Sequence, residues 1–377
     1  MPNLSEGGTC FGGCAVWDPT ALTDRSTGQV WVFFGRSTSS CPPPSARHTG
    51  STLGGRRVDL WSMTSTDKGA SWSALRNMSE CSVPYSGGTN VAPAFTDKIP
   101  HVSGSGGHGI QLTTGELMVS LDGCCGTGSQ GLCSSTDRGQ TWKIGGCLVA
   151  SKGPGNGKIS TPTEGEMVQL FGPGPPQLLY AAGPEGAARC NSTPFTGPGI
   201  NEQCRMLYTS SNLGRNWSAA RWHPEMMGPS CKGGIVRYED ADDPKRRALF
   251  AVFPGDSRFT GGVRMNTTLA WSSDGNSFAQ HLQLSETGGY VTAQVTQGLV
   301  AVLHEAPAID RAFCWNVVTR CSNVLTTEPA NGTSCCNMSN IAGYCNCNPV
   351  GCGMRLALVD PKQLLPRPRQ AVATAGD

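Results

Sequence analysis

A short phrase of serine, aspartate and glycine followed by an aromatic residue occurs four times along this chain. The copies begin at Ser65, Ser135, Ser210 and Ser272. The first two share the pattern S-T-D-x-G-x-x-W, the third has Asn212 in place of aspartate, and the fourth is one residue shorter and ends at Phe278. Self-similarity of this kind indicates a repeat architecture in which each copy belongs to one structural unit.

The residue types in this phrase predict a tight turn between two strands. Aspartate and glycine favour turns, because the carboxylate accepts hydrogen bonds from nearby backbone N–H groups and glycine tolerates a positive φ. The aromatic residue is expected to pack beneath the turn. We therefore interpret the four phrases as parts of the scaffold and not as catalytic groups.

The composition favours a protein of many short strands. The chain has 377 residues, with 50 glycines, 26 prolines and only 15% charged residues, which leaves little room for long helices. A formal net charge of +2 gives no sign of a nucleic-acid partner. No apolar run approaches the roughly 18 residues of a membrane span.

Eighteen cysteines predict disulfide bonds, since none of them forms the paired C-x2-C spacing of a zinc site. We expect neither a metal nor another cofactor. Seven N-x-S/T sequons also favour a secretory route; they are at Asn3, Asn77, Asn191, Asn216, Asn266, Asn331 and Asn337. The sequence predicts a secreted glycoprotein, although polar residues follow Met1 directly and no signal peptide is recognisable.

The four phrases resemble the Asp box of sialidases, which are also called neuraminidases, and the likeness extends from about Cys14 to Leu365. The resemblance implies an all-β fold, a six-bladed β-propeller with Asp-box (BNR) repeats. It implies one domain over residues 1–377, with a cysteine-rich, disulfide-bonded segment at residues 314–352 inside the last blade.

Three further stretches resemble sialidase sequence. The first, Gly107–Leu112, is similar to the family's phrase leading into its second blade, and the other two imply site residues. The stretch Thr163–Leu170 is similar to the segment that carries the catalytic glutamate, and Glu164 stands at that position. Arg264 precedes the fourth box, and Tyr290 follows 26 residues later. In the family, such segments supply an arginine that binds the substrate carboxylate and the tyrosine nucleophile.

Simple chemistry explains why these residue types belong together. A sialic acid carries a carboxylate beside its anomeric carbon, so a neutral phenol approaches that carbon with less repulsion than a carboxylate would. A phenol with a pKa of ~10 needs a base in contact, which is the role implied for Glu164 toward Tyr290. The planar guanidinium of Arg264 is suited to binding a carboxylate through two parallel hydrogen bonds.

Other expected positions depart from the family pattern. Glycine stands in place of the first arginine, in the stretch Phe11–Val16, and Arg189 is the nearest substitute for the second. Between Arg36 and Val58 there is no aspartate or glutamate, although the family has its acid there. His48 is the one residue of that loop with a pKa near neutrality. Glu166, two residues after Glu164, is an alternative to it as the base.

The sequence thus predicts a retaining exo-α-sialidase that removes terminal sialic acid, or a related acidic nonulosonic sugar, from glycoconjugates. The catalytic residues would be Tyr290 and Glu164, with Arg264 binding the substrate and sialylated glycans as the partners. The alternative is a lectin-like protein that kept the pocket and lost turnover. A purely structural repeat protein would explain the boxes but not the order of the three site residues.

Overall fold

The computed structural model describes residues 10–11, 14–37, 58–82, 102–125, 130–186, 190, 203–228, 232–256, 265–307 and 352–365. They form an all-β propeller of five sheets, in which every strand pair within a sheet is antiparallel. No helix in these ranges is long and apolar enough to cross a membrane.

The strands follow the chain order from sheet to sheet. The first sheet contains β1 (Cys10–Phe11), β2 (Cys14–Thr23), β3 (Val30–Ser37), β4 (Val58–Ser65) and β5 (Arg76–Asn77). The second contains β6 (Ser103–Gly104), β7 (Ile110–Gln111), β8 (Leu117–Asp122), β9 (Gln130–Ser135) and β10 (Lys143–Ile144). The third contains β11 (Ser151–Lys152), β12 (Ile159–Gln169), β13 (Leu178–Gly186), β14 (Cys204–Ser210) and β15 (Arg221–Met227).

The last two sheets are smaller. The fourth contains β16 (Gly234–Glu239), β17 (Arg247–Asp256), β18 (Met265–Ser272) and β19 (Gln280–Thr287). The fifth contains β20 (Val291–Thr296), β21 (Leu299–Pro307) and β22 (Cys352–Val359). A 3-10 helix at Ser79–Cys81 and a short α-helix, α1 (Pro361–Leu364), complete the described structure.

Each pair of successive sheets encloses its own apolar layer, and this layering explains the sequence of the strands. On β17, Leu249, Ala251 and Phe253 pack toward the third sheet, whereas the intervening Phe250 and Val252 pack toward the fifth. Because side chains alternate between the two faces of a strand, a strand that is buried on both faces needs an uninterrupted apolar run. The run Ala248–Phe253 meets that requirement.

The four box phrases form one recurring turn. In the second box, the Ser135 hydroxyl donates to Asp137 Oδ1 at 2.7 Å, and the backbone N–H of Gly139 donates to Ser135 Oγ at 2.8 Å. The backbone N–H of Thr141 donates to Asp137 Oδ1 at 2.9 Å. Equivalent bonds hold the turns that begin at Ser65, Ser210 and Ser272. In the first, third and fourth sheets the turn follows the third long strand, and in the second sheet it follows β9. Each turn lies toward the edge opposite the innermost strand.

The expectation of six blades is wrong for the part of the chain that the structure describes, which has five sheets. Boxes occur in the first four sheets, and the fifth has three strands and no box. The number six was implied by the family resemblance alone. A box indicates that a sheet is present, but it does not determine the total number of sheets. The predicted cysteine-rich segment 314–352 lies outside the described residues up to residue 351 and enters β22 at Cys352.

Within the described residues, cysteines join neighbouring elements at three places. Disulfide bonds link Cys81 to Cys133, Cys125 to Cys147, and Cys190 to Cys204. The first of them connects the 3-10 helix after the first sheet to β9 in the second sheet. Cys124 is a free, fully buried thiol, and its Sγ lies 3.8 Å from Cys125 Sγ.

Candidate active site

The innermost strands of the sheets approach one another, and the candidate site lies where they do. In the third sheet this strand is β12, which carries Glu164, and in the fifth it is β20, which Tyr290 directly precedes. Both strands pack against β16 of the fourth sheet. Two residues that are 126 positions apart in the sequence thereby become neighbours.

The Tyr290 hydroxyl donates a hydrogen bond to Glu164 Oε1 at 2.8 Å. Both side chains are half-buried, so they are held by the protein and still reach solvent. The backbone fixes the tyrosine, because its N–H donates to Glu305 Oε2 at 3.0 Å and its carbonyl accepts from the Glu305 N–H at 3.0 Å. The sequence analysis expected this contact, which is the geometry that a phenol and its base require.

An irregular backbone at Glu164 directs its side chain. The residue has a φ of 45°, and the pairing of β12 with β13 shifts between Thr163 and Glu166. A β-bulge re-aims side chains, and a left-handed backbone at a residue other than glycine costs free energy that the surrounding structure must offset. Asp18 on β2 repeats this arrangement, with a φ of 45° at a register shift between Trp17 and Thr20.

Asp122, at the end of β8, is a further carboxyl group that contacts Glu164. Its Oδ1 accepts hydrogen bonds from the Glu164 N–H, at 3.4 Å, and from Gln130 Nε2. The orientation of the Gln130 amide is fixed, because its Oε1 accepts from the Gly165 N–H at 3.2 Å and from the Tyr180 hydroxyl at 2.8 Å. Burial, together with the negative charges of Glu164 and Asp18, raises the pKa of Asp122 to about 8, so this carboxyl is mostly protonated at neutral pH.

Two more carboxyl groups belong to the same region. Burial raises the pKa of Asp18, whose Oδ2 accepts from the Ser103 hydroxyl at 3.2 Å. Burial, and then the charge of Glu164, raises the pKa of Glu185 on β13. The site therefore combines Glu164 with three carboxyl groups, Asp122, Asp18 and Glu185, whose burial favours the protonated form.

Glu166 does not face Tyr290, so it is not the base suggested as the alternative to Glu164. It is fully buried, and its Oε1 accepts from Lys232 Nζ at 3.1 Å and from the Thr292 hydroxyl at 3.0 Å. Its Oε2 accepts from the Ile235 N–H at 3.2 Å and lies 3.1 Å from His108 Nδ1. We call Glu166, Lys232, His108 and Thr292 the central cluster. It joins the second, third, fourth and fifth sheets.

The charges in the central cluster balance one another. Burial opposes the ionisation of Glu166, yet His108 and Lys232 outweigh it and lower the pKa of this carboxyl to about 2. Lys232 Nζ also donates to the Ser105 carbonyl at 3.0 Å. Gly107 passes so close that a Cβ there would lie 1.6 Å from Glu166 Oε1, which explains why this position has no side chain.

Three sequence-based candidates cannot be placed. Arg264, Arg189 and His48 lie outside the described residues, so their predicted roles stay predictions. The sequence predicts Glu166 only as an alternative base, and it does not predict a role in the site for Asp122, Asp18, Lys232, His108 or Thr292. A signal for Asp122 existed, since an aspartate directly after the apolar run Leu117–Leu121 lies at the end of a buried strand.

No protein-family profile matches the chain, and no curated protein matches it. Among solved structures, the Hadza microbial sialidase Hz136 has a TM-score of 0.55 and 19% sequence identity, over 78% of this chain and 50% of that one. The described sheets have a sialidase fold. The chain spans about half the length of Hz136, and at this identity the likeness concerns the fold alone.

Weaker likenesses extend to two other organisms. The Trypanosoma rangeli sialidase has a TM-score of 0.49 and 15% identity over 84% of this chain and 50% of that one. The intramolecular trans-sialidase from Ruminococcus gnavus, in complex with oseltamivir carboxylate, has a TM-score of 0.49 and 14% identity, over 77% of this chain and 73% of that one.

Proposed function

We propose that this sialidase-fold protein is a secreted, retaining glycoside hydrolase that removes terminal sialic acid, or a related acidic nonulosonic sugar, from glycoconjugates. The observation that carries the proposal is the 2.8 Å hydrogen bond from the Tyr290 hydroxyl to Glu164 Oε1. A half-buried phenol bonded to a carboxylate is an activated nucleophile. A protein that only binds sugars has no need of one.

The first step of the reaction forms a covalent intermediate. Tyr290 attacks the anomeric carbon while its proton passes to Glu164, and the bond from that carbon to the leaving oxygen breaks. Water then attacks the same carbon, the bond to Tyr290 breaks, and the phenol regains a proton from Glu164. Two displacements at one carbon retain its configuration.

The charge of the substrate fits a site with few ionised carboxyl groups. A sugar carboxylate is repelled by every carboxylate nearby, so a protonated Asp122 lowers the repulsion that an anionic sugar meets. Arg264 is the proposed partner of the sugar carboxylate. Its guanidinium would form the bidentate pair that a lysine cannot form.

The test compares variants on an aryl sialoside with an electron-poor phenol as leaving group. We expect Tyr290→Phe to abolish hydrolysis, and Glu164→Gln to lower kcat by about 10² to 10⁴-fold, the usual contribution of general acid–base catalysis. Tyr238→Phe is the matched control, since the Tyr238 hydroxyl is buried and has no hydrogen-bond partner among the residues that the structure describes. Full activity of Tyr290→Phe, or none in the unmodified protein, would overturn the proposal.

One observation favours the lectin-like alternative. No aspartate or glutamate occurs between Arg36 and Val58, where the resemblance places a catalytic acid. A binding protein would show no turnover of the aryl sialoside, yet would bind free sialic acid in calorimetry, and Arg264→Ala would abolish that binding.

A further inference from the structure

The proposed hydrolysis needs a proton donor that the sequence did not supply. Expelling a sugar alcohol as an alkoxide is unfavourable, so the leaving oxygen takes up a proton from a group that is protonated at the working pH. Such a group must lie close to Glu164 and Tyr290 and keep an oxygen available for donation.

Resting on the proposed function, we infer that Asp122 is the general acid of this site. Its Oδ1 is occupied, because both the Glu164 N–H and Gln130 Nε2 donate to that oxygen. Among the residues described, no hydrogen bond reaches Oδ2, and the side chain is only half-buried. A proton on Asp122 therefore belongs on Oδ2, where it can be transferred.

The surroundings of Asp122 favour the protonated form. Among the residues that the structure describes, the titratable groups that interact with it are Glu164 on β12, Asp18 on β2, Tyr180 on β13 and Cys124 just after β8. None of them is a cation, and the carboxylates repel a further negative charge. A pKa of about 8 agrees with a carboxyl that donates a proton at neutral pH.

The two other raised carboxyl groups suit the role less well. Asp18 accepts the Ser103 hydroxyl on Oδ2, and the charge of Lys232 favours its ionised form. Glu185 makes no contact with the Glu164 backbone that compares with the bond to Asp122 Oδ1.

The proton balance of the reaction closes with Asp122. In the first step the proton on Oδ2 passes to the leaving oxygen, which departs as an alcohol, while the Tyr290 proton passes to Glu164. In the second step the Asp122 carboxylate accepts a proton from the attacking water, and Glu164 returns its proton to Tyr290 as the covalent bond breaks.

The decisive experiment measures Asp122→Asn on two substrates. Asparagine keeps the shape of the neutral acid, and its Oδ1 accepts the same hydrogen bonds, but it cannot transfer a proton. For 3′-sialyllactose we expect kcat/KM to fall about 10² to 10⁴-fold. For an aryl sialoside with an electron-poor phenol we expect a loss of less than about tenfold, because that group leaves without a proton. Asp137→Asn, in an exposed box turn, is the control.

Each outcome has one meaning. An equal loss on both substrates, or no loss on either, overturns Asp122 as the acid and leaves the nucleophile untouched. No turnover of either substrate by the unmodified protein overturns the proposed function itself. In the unmodified protein, kcat on sialyllactose should fall above about pH 8, and Asp122→Asn should lack that decline.

The pH dependence of the free energy of unfolding tests for the proton on Asp122 without any substrate. The usual aspartate pKa is about 3.9, whereas the folded protein holds this proton up to about pH 8. The folded state therefore binds more protons than the unfolded chain between these values, and stability falls as pH rises through that window. We expect urea unfolding to show this fall in the unmodified protein and a smaller one in Asp122→Asn. Identical slopes would mean that Asp122 is ionised at neutral pH, and would overturn the inference.

Discussion

Glu166 is a buried charge whose role is to hold sheets together. Lys232, Thr292 and the Ile235 N–H donate to its two oxygens, and His108 lies beside them. Buried ion pairs contribute little net stability compared with apolar pairs, but removing one partner alone is costly because it leaves the other charge unpaired.

We therefore expect Glu166→Gln to destabilise the protein by about 3 to 5 kcal/mol, since it leaves the Lys232 ammonium without a counter-charge. The double variant Glu166→Gln, Lys232→Met removes both charges and should cost less than the single one. Urea unfolding of the two variants measures this difference. A double variant that is less stable than the single one would contradict the balance of charges described for the central cluster.

Sequence alone could name Tyr290 and Glu164 as candidate partners, but it could not separate Glu164 from Glu166. Two residues that are two positions apart in a regular strand point to the same face, so Glu164 and Glu166 were equivalent candidates. The bulge, with Glu164 at a φ of 45°, separates them. Position 164 has neither the glycine nor the asparagine that would predict a left-handed backbone from the sequence. Long-range contacts impose this conformation on Glu164.

The turn is the element that the sequence predicted best. All four boxes form the expected serine–aspartate–backbone hydrogen bonds, including the third, where Asn212 Oδ1 replaces a carboxylate oxygen and accepts from the Asn216 N–H at 2.9 Å. The strands before Glu164 were predicted less well. The stretch Ile159–Glu166 contains proline, glycine and threonine and is typical of a loop, yet it is part of β12 because β13 pairs along most of it.

The hydrogen bonds of Asp137 should stabilise the second box turn. Hydrogen bonds from Thr141 and Ser135 lower the pKa of Asp137 to about 2, so this aspartate is an ionised acceptor over most of the pH range. We expect Asp137→Ala to lower Tm, and Asp137→Asn to lower it less, because asparagine already serves at the same position of the third box. Differential scanning calorimetry checks the order. Equal Tm values for both variants and the unmodified protein would show that these bonds do not stabilise the turn.

The part of the molecule that the structure describes is a series of five sheets with an apolar layer between each successive pair. The outer face of the fifth sheet is different, because Leu303, Leu356 and Leu358 are 39%, 61% and 58% exposed. Alternating apolar runs in the sequence predicted the strands and the layers. They could not predict the number of sheets. A strand with two apolar faces shows that a sheet lies on each side of it, but not how many sheets follow one another.

Disulfide bonds between sheets should stabilise the folded protein against unfolding. The Cys81–Cys133 disulfide joins the first sheet to the second and closes a loop with a sequence separation of 52. We expect the double variant Cys81→Ala, Cys133→Ala to unfold more easily by about 2 to 4 kcal/mol, because the unfolded chain gains freedom. Urea unfolding measures the change, with Tyr238→Phe as control.

The same cross-links bear on the proposed secretion. Mass spectrometry of the unreduced protein should find these six cysteines oxidised. Free thiols at the described pairs would contradict both the disulfides and the secretory route.

The buried Cys124 thiol can report how often the first two sheets separate. Burial and the charge of Asp122 raise its pKa well above the usual value, and thiols react as thiolates, so an alkylating reagent cannot modify it in the closed protein. Modification must wait until the second sheet separates from the first. The rate at which the Cys124 peptide gains an alkyl group therefore records how often the propeller opens between those two sheets, without heat or denaturant.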